Sequence, residues 1–181
     1  MYPAPNPLLV ELEQHAHRDG VPIVSRDTGR FLSTIVTAMQ ANRVLEIGTG
    51  YGYSTLWMAL AQPRMGRIWT IEPDAAQTEI ALEYFRRAGE DDYIELFDTP
   101  ALELLENFPQ RNLDVVFVAA NSGDYGRYLE LVIPMLKLSG LAIFNDCLRV
   151  GDFPEPFLNH PALEATILPL GEGIGIGARR Q

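Results

Sequence analysis

Apolar residues recur along this chain in two alternating rhythms. LLVELEQHA has helical spacing, and TGRFLSTIVTAMQ sets Phe31, Leu32, Ile35, Val36 and Met39 on one helical face. RVLEI then forms a short apolar run closed by glycines, the pattern of a buried strand. The alternation continues with STLWMALAQ as a helix starting near Ser54, RIWTI as a strand, and DAAQTEIALEYFRRAG as a helix capped by Asp74 and stopped by Gly89. YIELF, LDVVFV and GLAIFN read as strands, and ALELLENF and YGRYLELVIPML as the helices between them, the second bent by Pro134. LEATILPL and IGIGARR, joined through GEG, predict a terminal hairpin. Together these elements predict an α/β fold: a doubly wound sheet of about seven strands, mostly parallel, with a C-terminal antiparallel hairpin. Residues 1–181 read as a single domain, with N-terminal helices over 1–41 and the sheet core over 42–181. Ligands of such a sheet bind at the carboxyl ends of its strands.

Composition narrows the partners. At 181 residues and 47% hydrophobic, the chain is long enough to bury a continuous core. It contains no apolar run of the ~18 to 20 residues needed to span a bilayer, and MYPAPNPLLVELEQ lacks the basic-then-apolar pattern of a secretory leader. A cytoplasmic protein without a membrane partner is expected. The net charge of −10 repels phosphate backbones, so small molecules are the expected partners rather than nucleic acid. Cys147 is the sole cysteine, which excludes an intrachain disulfide and a cysteine-based zinc site.

The first strand ends in LEIGTGYGYST, where Gly48, Gly50 and Gly52 permit a tight turn and a close backbone approach to a ligand. Such loops also occur in dinucleotide folds and in purely structural turns. Two acids sharpen the reading. Glu46 precedes the loop, where a pyrophosphate would be repelled and an ammonium attracted. Glu72, at the end of WTIEPD, is placed to accept from both hydroxyls of a ribose. Ribose, a positive centre and an amino-acid carboxylate combine in S-adenosylmethionine, and the GxGxG spacing favours it over a nicotinamide dinucleotide. The alternatives are a core-edge carboxylate for Glu46 and a solvated strand end for Glu72.

With these motifs the chain resembles the cation-dependent O-methyltransferases, a group that includes catechol and caffeoyl-CoA methyltransferases and bacterial relatives, some of which modify hydroxylated uridine in tRNA. The likeness runs through VPIVSRDTGRFL, RVLEIGTGYGYSTLWMA, TIEPD, LDVVFVAANSGDYGRYLELVIPMLKLSGLAIFNDCL and LPLGEGIGIGARR. It implies a Rossmann-like S-adenosylmethionine-dependent methyltransferase fold. It further implies that Val24 and Ser25 border the cofactor pocket and that Glu46, Gly48, Tyr53 and Ser54, with Thr49, Gly50 and Gly52 of the loop, hold the methionine part. Glu72 and its neighbour Pro73 would meet the ribose. The family's acidic residue near Pro100 is missing from DTPAL, so Asp98 and Ala101 are the candidates beside adenine. Relatives are commonly dimeric, which makes a homodimer compatible with the resemblance.

The resemblance breaks at the reaction centre. Relatives carry FIDADKxxYxxY, whose first Asp binds a divalent cation, whose second lies near the donor, and whose Lys helps deprotonate the acceptor. This chain has FVAANSGDYGRY, with Ala119, Asn121 and Ser122 at those positions while Tyr125 and Tyr128 remain. The family's Asp-Asn pair is inverted to Asn145-Asp146. One carboxylate is a poor site for magnesium, so no bound metal is expected. Alternation along a strand would aim neighbouring side chains to opposite faces. Ala119 is expected beside the cofactor, and Asp146, with Asn145, is the candidate for the base or acceptor-orienting group; the alternative for Asp146 is capping of the next loop. Where relatives carry a longer, helix-bearing segment, only PEPFLNHPA intervenes, so a more open acceptor site, or one completed by a second copy, is expected.

Other residues have plainer readings. His15 and His17 are expected to be exposed, His160 solvated or turned toward the pocket, Cys147 an apolar filler, and Trp57 and Trp69 core residues. Tyr51 either stacks over the donor or covers the loop. Three functions follow as expectations: a metal-free O-methyltransferase for a small acceptor, a catalytically impaired S-adenosylmethionine-binding sensor or partner subunit, and a tRNA hydroxyuridine methyltransferase.

Overall fold

The structure is a computed structural model describing residues 5–180. Two helices open the chain. Helix α1, Pro7–Asp19, starts where Asn6 accepts from the Leu8 N–H and ends at left-handed Gly20. Helix α2, Arg26–Met39, starts where the Ser25 hydroxyl accepts from the Thr28 N–H. Strand β1, Arg43–Ile47, leads into α3, Tyr53–Ala59, and then β2, Arg67–Ile71. Helix α4, Ala75–Ala88, has the predicted Asp74 cap and Gly89 stop. There follow β3, Ile94–Phe97, α5, Ala101–Glu106, β4, Leu113–Val118, and α6, Tyr125–Val132. Strand β5, Leu136–Phe144, α7, Pro154–Leu158, β6, Leu163–Leu168, and β7, Ile174–Arg179, complete the chain.

The seven strands form one sheet in the order β3-β2-β1-β4-β5-β7-β6. The first five pair in parallel, and β7 runs antiparallel between β5 and β6. Both faces are covered, and the strands read accordingly. In β4, Val116 and Val118 enter one apolar cluster with α5 and α6, while Val115 and Phe117 enter the other with α1, α2 and α3. Trp69 lies in the first cluster and Trp57 in the second, both as core residues.

Two elements differ from the sequence reading. Helix α6 ends at Val132 rather than bending at Pro134; Ile133–Met135 tightens into a 3₁₀ turn and Leu136 already begins β5. Proline cannot donate within a helix, and its exit here starts the strand four residues before GLAIFN. The β4–β5 register also shifts between Leu113 and Val115, an irregularity that hides the early part of β5 from period-two patterning. The second difference is α7, which forms inside PEPFLNHPA. Phe153 and Phe157 anchor it among Tyr125 and Phe144, with Phe157 5.5 Å from the Phe144 ring. β7 makes room for it: a Cβ on Gly175 would lie 2.6 Å from the Cys147 sulfur and 2.9 Å from the Phe157 ring.

The amino end of the sheet is tied by one carboxylate. Asp114 Oδ2 accepts from the N–H groups of Asn42 and Arg43, each at 2.8 Å, and Oδ1 meets Lys137 Nζ at 2.5 Å, linking β1, β4 and β5. Burial raises this carboxyl's pKa, but the bonds from Lys137, Arg43 and Asn42 outweigh it, and the net shift is downward. A depressed carboxyl stabilises the fold above its unfolded pKa, and that contribution fades as pH falls through the folded value. Asp114→Ala should therefore lower stability at neutral pH by about 2 to 4 kcal/mol. Asp114→Asn should flatten the acid limb of the stability curve, measured by urea denaturation across pH.

Candidate active site

A cavity of about 430 Å³ opens at the carboxyl ends of β1, β2, β4 and β5. Its floor exists because the backbone comes unusually close. Gly48 has φ +96°, and a Cβ there would sit 2.5 Å from the Ala119 carbonyl oxygen. Only glycine fits between the ends of β1 and β4. Gly50 is also left-handed, at φ +54°, and its N–H donates to Glu72 Oε2 at 2.8 Å. Glu72 Oε1 accepts from the Asp74 N–H at 3.1 Å, so this carboxylate spans the glycine loop and the start of α4 while facing the cavity.

The structure brings most of the sequence-predicted site residues to this cavity. Val24, Gly48, Thr49, Gly50, Tyr53, Ser54, Glu72, Pro73, Ala101, Ala119, Asn145 and Asp146 line it. Ser25, Glu46, Gly52 and Asp98 do not. Ser25 spends its hydroxyl on the α2 cap. Gly52 serves packing, since a Cβ there would meet the Phe85 ring at 2.5 Å. Asp98 is exposed in the turn after β3.

Glu46, expected to hold the methionine part of the donor with a core-edge carboxylate as the alternative, does not line the cavity. It is fully buried beneath the loop. Its Oε1 accepts from Ser54 Oγ at 2.6 Å, and its Oε2 accepts from Thr70 Oγ1 at 2.7 Å and, in a still shorter contact, from Thr55 Oγ1. Burial drives its pKa up to about 7, partly offset by the three hydroxyl bonds, with nearby Glu72 adding to the rise.

Tyr51 is also settled. Its hydroxyl donates to Asp19 Oδ2 at 2.9 Å and its ring lies 5.3 Å from His15, so it clasps the loop to α1 and does not line the cavity. His15, expected to be exposed, is half-buried: Nδ1 lies 3.1 Å from the Tyr84 hydroxyl and Nε2 3.2 Å from Asp19. His17 is exposed. His160 accepts at Nδ1 from the Ala162 N–H and lines neither this cavity nor its neighbour. Cys147 is wholly buried, with its thiol pushed up to about 11 chiefly by that burial.

A smaller hollow of about 190 Å³ adjoins the first and shares Ala119, Ala120, Asn145 and Asp146 with it, adding Ser122, Tyr125, Arg149 and Val150. Asn145 and Asp146 lie past the end of β5, so strand alternation does not separate them, and both reach the junction of the two spaces. Asp146 is left-handed, at φ 52°, a costly conformation for a residue with a side chain, and its carboxylate makes no capping hydrogen bond. Tyr125 donates to the Asn145 carbonyl at 2.9 Å and holds that backbone; burial pushes the phenol well above its ordinary range.

The cation that the resemblance implies does not suit this donor set. Ala119 offers no ligand, and Asp146 is the one carboxylate at the three aligned positions, against magnesium's preference for several oxygen ligands including carboxylates. Among the described residues no cluster of three or more His, Cys, Asp or Glu is positioned to hold a metal. S-adenosylmethionine, by contrast, fits the cavity's chemistry: exposed loop backbone, Glu72 facing inward, and apolar walls from Ile23, Val24 and Ala101. Sequence reasoning missed Ile23 and its neighbour Pro22, which carry no signal beyond preceding Val24. It also missed Gln77, which reaches the site because Asp74 starts α4 so close to Glu72.

Comparison with known proteins agrees with this architecture. The chain is 34% identical to a caffeoyl-CoA O-methyltransferase of Populus kitakamiensis over 72% of its own length, an alignment that spans 60% of that enzyme, less than two thirds. It is 32% identical to a catechol O-methyltransferase of Mycobacterium tuberculosis over 86% of its length and 71% of that protein's. The crystal structure of an O-methyltransferase from Bacillus cereus in complex with SAH superposes with a TM-score of 0.87 at 25% identity, covering 98% of this chain and 92% of the other. A sequence model of the O-methyltransferase family matches residues 5–168, and on that match the chain belongs to the O-methyltransferase family.

Proposed function

We propose that this protein transfers the methyl group of S-adenosylmethionine to an oxygen of a small-molecule acceptor, without a divalent metal. The observation that carries the reading is the junction at Asn145 and Asp146. It joins a cavity built from the glycine loop and Glu72 to a hollow large enough for part of a small acceptor. Roles follow from placement. Glu72 would receive the ribose hydroxyls, Ala101 would pack beside the adenine, and Thr49, Tyr53 and Ser54 would meet the methionine part. The acceptor would sit against Ala119, Ala120 and Asp146.

Bound donor supplies an electrophilic methyl carbon on a sulfonium. As the acceptor oxygen forms its bond to that carbon, the carbon–sulfur bond breaks and its electron pair returns to sulfur. Alignment of the two partners provides much of the acceleration, and the walls at Val24, Tyr53 and Ala119 would supply it by confining them. A neutral hydroxyl must also lose its proton, and the Asp146 carboxylate, which makes no capping hydrogen bond, would take it. A cation at this point would normally help to acidify the acceptor; with Ala119 in the ligand position, that duty falls to Asp146 or to an acceptor that is already ionised. Ala119, Asn121 and Ser122 favour one second reading, a donor-binding protein that has lost turnover. The net charge of −10 disfavours a tRNA substrate.

Calorimetric titration with S-adenosylmethionine should give saturable one-site binding, and an acceptor screen should then find methyl transfer that persists in EDTA. Binding without turnover across phenols, acidic hydroxyls and carboxylic acids would favour the second reading; no binding at millimolar donor would sink both. Once an acceptor with a neutral hydroxyl is in hand, Asp146→Asn should lower kcat by about 10²- to 10⁴-fold with donor affinity nearly unchanged, as expected for loss of a general base. An unchanged kcat would remove Asp146 from the mechanism.

A further inference from the structure

Asp146 lines both hollows, yet its own backbone preferences do not keep it there. It sits past the end of β5 at φ 52° and ψ 32°, a region that residues with side chains rarely adopt, so bonds on either side must hold it. On the far side the Cys147 N–H donates to the Gly173 carbonyl at 2.8 Å and the Leu148 N–H to the Glu172 carbonyl at 3.0 Å, tying the turn to the loop between β6 and β7. On the near side the Asn145 N–H makes a last rung to the Val118 carbonyl of β4 at 2.9 Å. The Asn145 carbonyl accepts from the Tyr125 hydroxyl, also at 2.9 Å. That carbonyl belongs to the peptide plane that sets the φ of Asp146, so holding it holds the left-handed turn. The same hydroxyl lies 3.4 Å from the Val118 carbonyl, and one phenol thus bridges the ends of β4 and β5. Its buried ring is fixed in turn, with centroids 5.3 Å from Phe144 and 5.2 Å from Phe153.

We propose that Tyr125 is a positioning residue: its hydroxyl staples the ends of β4 and β5, locks Asp146 in its left-handed turn, and so keeps that carboxylate beside the acceptor. The inference rests on the role proposed above for Asp146. Tyr125 takes no proton itself. Burial, with Cys147 and Asp146 nearby, raises its pKa, so at neutral pH it is a donor whose single proton goes to the backbone. Helix α6 can place it there because Tyr125 is its first residue, close behind the loop that leaves β4. Helix α7 takes part as well. Phe153, next to its start, backs the Tyr125 ring, so the short segment between β5 and β6 bears on the acceptor hollow through Tyr125.

Two measurements on the whole protein test this, and the first needs no acceptor. It is urea denaturation of wild type, Tyr125→Phe, Asp146→Gly and the double variant. Glycine loosens the unfolded chain alike in both backgrounds, so the difference between backgrounds reports the turn. Asp146→Gly should shift the midpoint more favourably in wild type than in Tyr125→Phe, where residue 146 is free to relax. Equal shifts would overturn the inference. The second measurement compares an acceptor with a neutral hydroxyl and one already ionised. Tyr125→Phe should lower kcat about 10²-fold for the first, as expected of a misplaced group, and far less for the second, with the loss in kcat rather than in donor affinity. In an Asp146→Asn background the same substitution should add little. A loss of equal size for both acceptors, or one that persists in full without the carboxylate, would mark a merely structural part and sink the proposal. An unchanged kcat in Asp146→Asn would remove this inference together with the base assigned above; equal midpoint shifts with Asp146 still essential would remove this inference alone.

Discussion

The site depends on the reversal of strand order between β1 and β4. From β1 the chain builds outward through β2 and β3, and from β4 it builds the other way through β5, so the loops leaving β1 and β4 part company and leave a crevice. That crevice stays open only because its two banks can touch at one point, where Gly48 abuts the Ala119 carbonyl with no space for a side chain. The same contact fixes the distance between the glycine loop on one bank and Ala119, Asn145 and Asp146 on the other. Asp114, at the opposite end of the same strands, holds β1, β4 and β5 together beneath it.

Much of this was legible in the sequence, for reasons that differ by residue. Short apolar runs predicted the parallel strands because both faces of the sheet are covered, and Asp74 with Gly89 marked α4 because caps act locally. The glycine loop and Glu72 were readable because backbone freedom and a strand-end acid leave direct marks. For Glu46 the sequence left two placements open, because spacing cannot say which side of a strand end carries enough hydroxyls to bury a carboxylate. Those hydroxyls come from α3 and β2, eight to 24 residues away. Asp146 was misjudged on orientation because β5 stops at Phe144, and a rule about strand alternation no longer governs a left-handed turn.

Charge is distributed unequally around the crevice. Glu46, Glu72 and Asp146 all lie below or beside it, and Arg149 at the rim is paired with Glu172 at 3.3 Å. Low-dielectric walls strengthen such a field where water is excluded. A positively charged ligand is favoured at such a crevice over a negatively charged one.

The clasp of Tyr51 on Asp19 gives the N-terminal helices a part in shaping that crevice. Tyr51 sits within the glycine loop, Asp19 closes α1, and the linker after α1 supplies Pro22, Ile23 and Val24 to the cavity wall. Loop, helix end and wall are thus mechanically one piece. The end of α1 is thereby tied both to the glycine loop and to the cavity wall, even though no side chain of α1 lines the cavity.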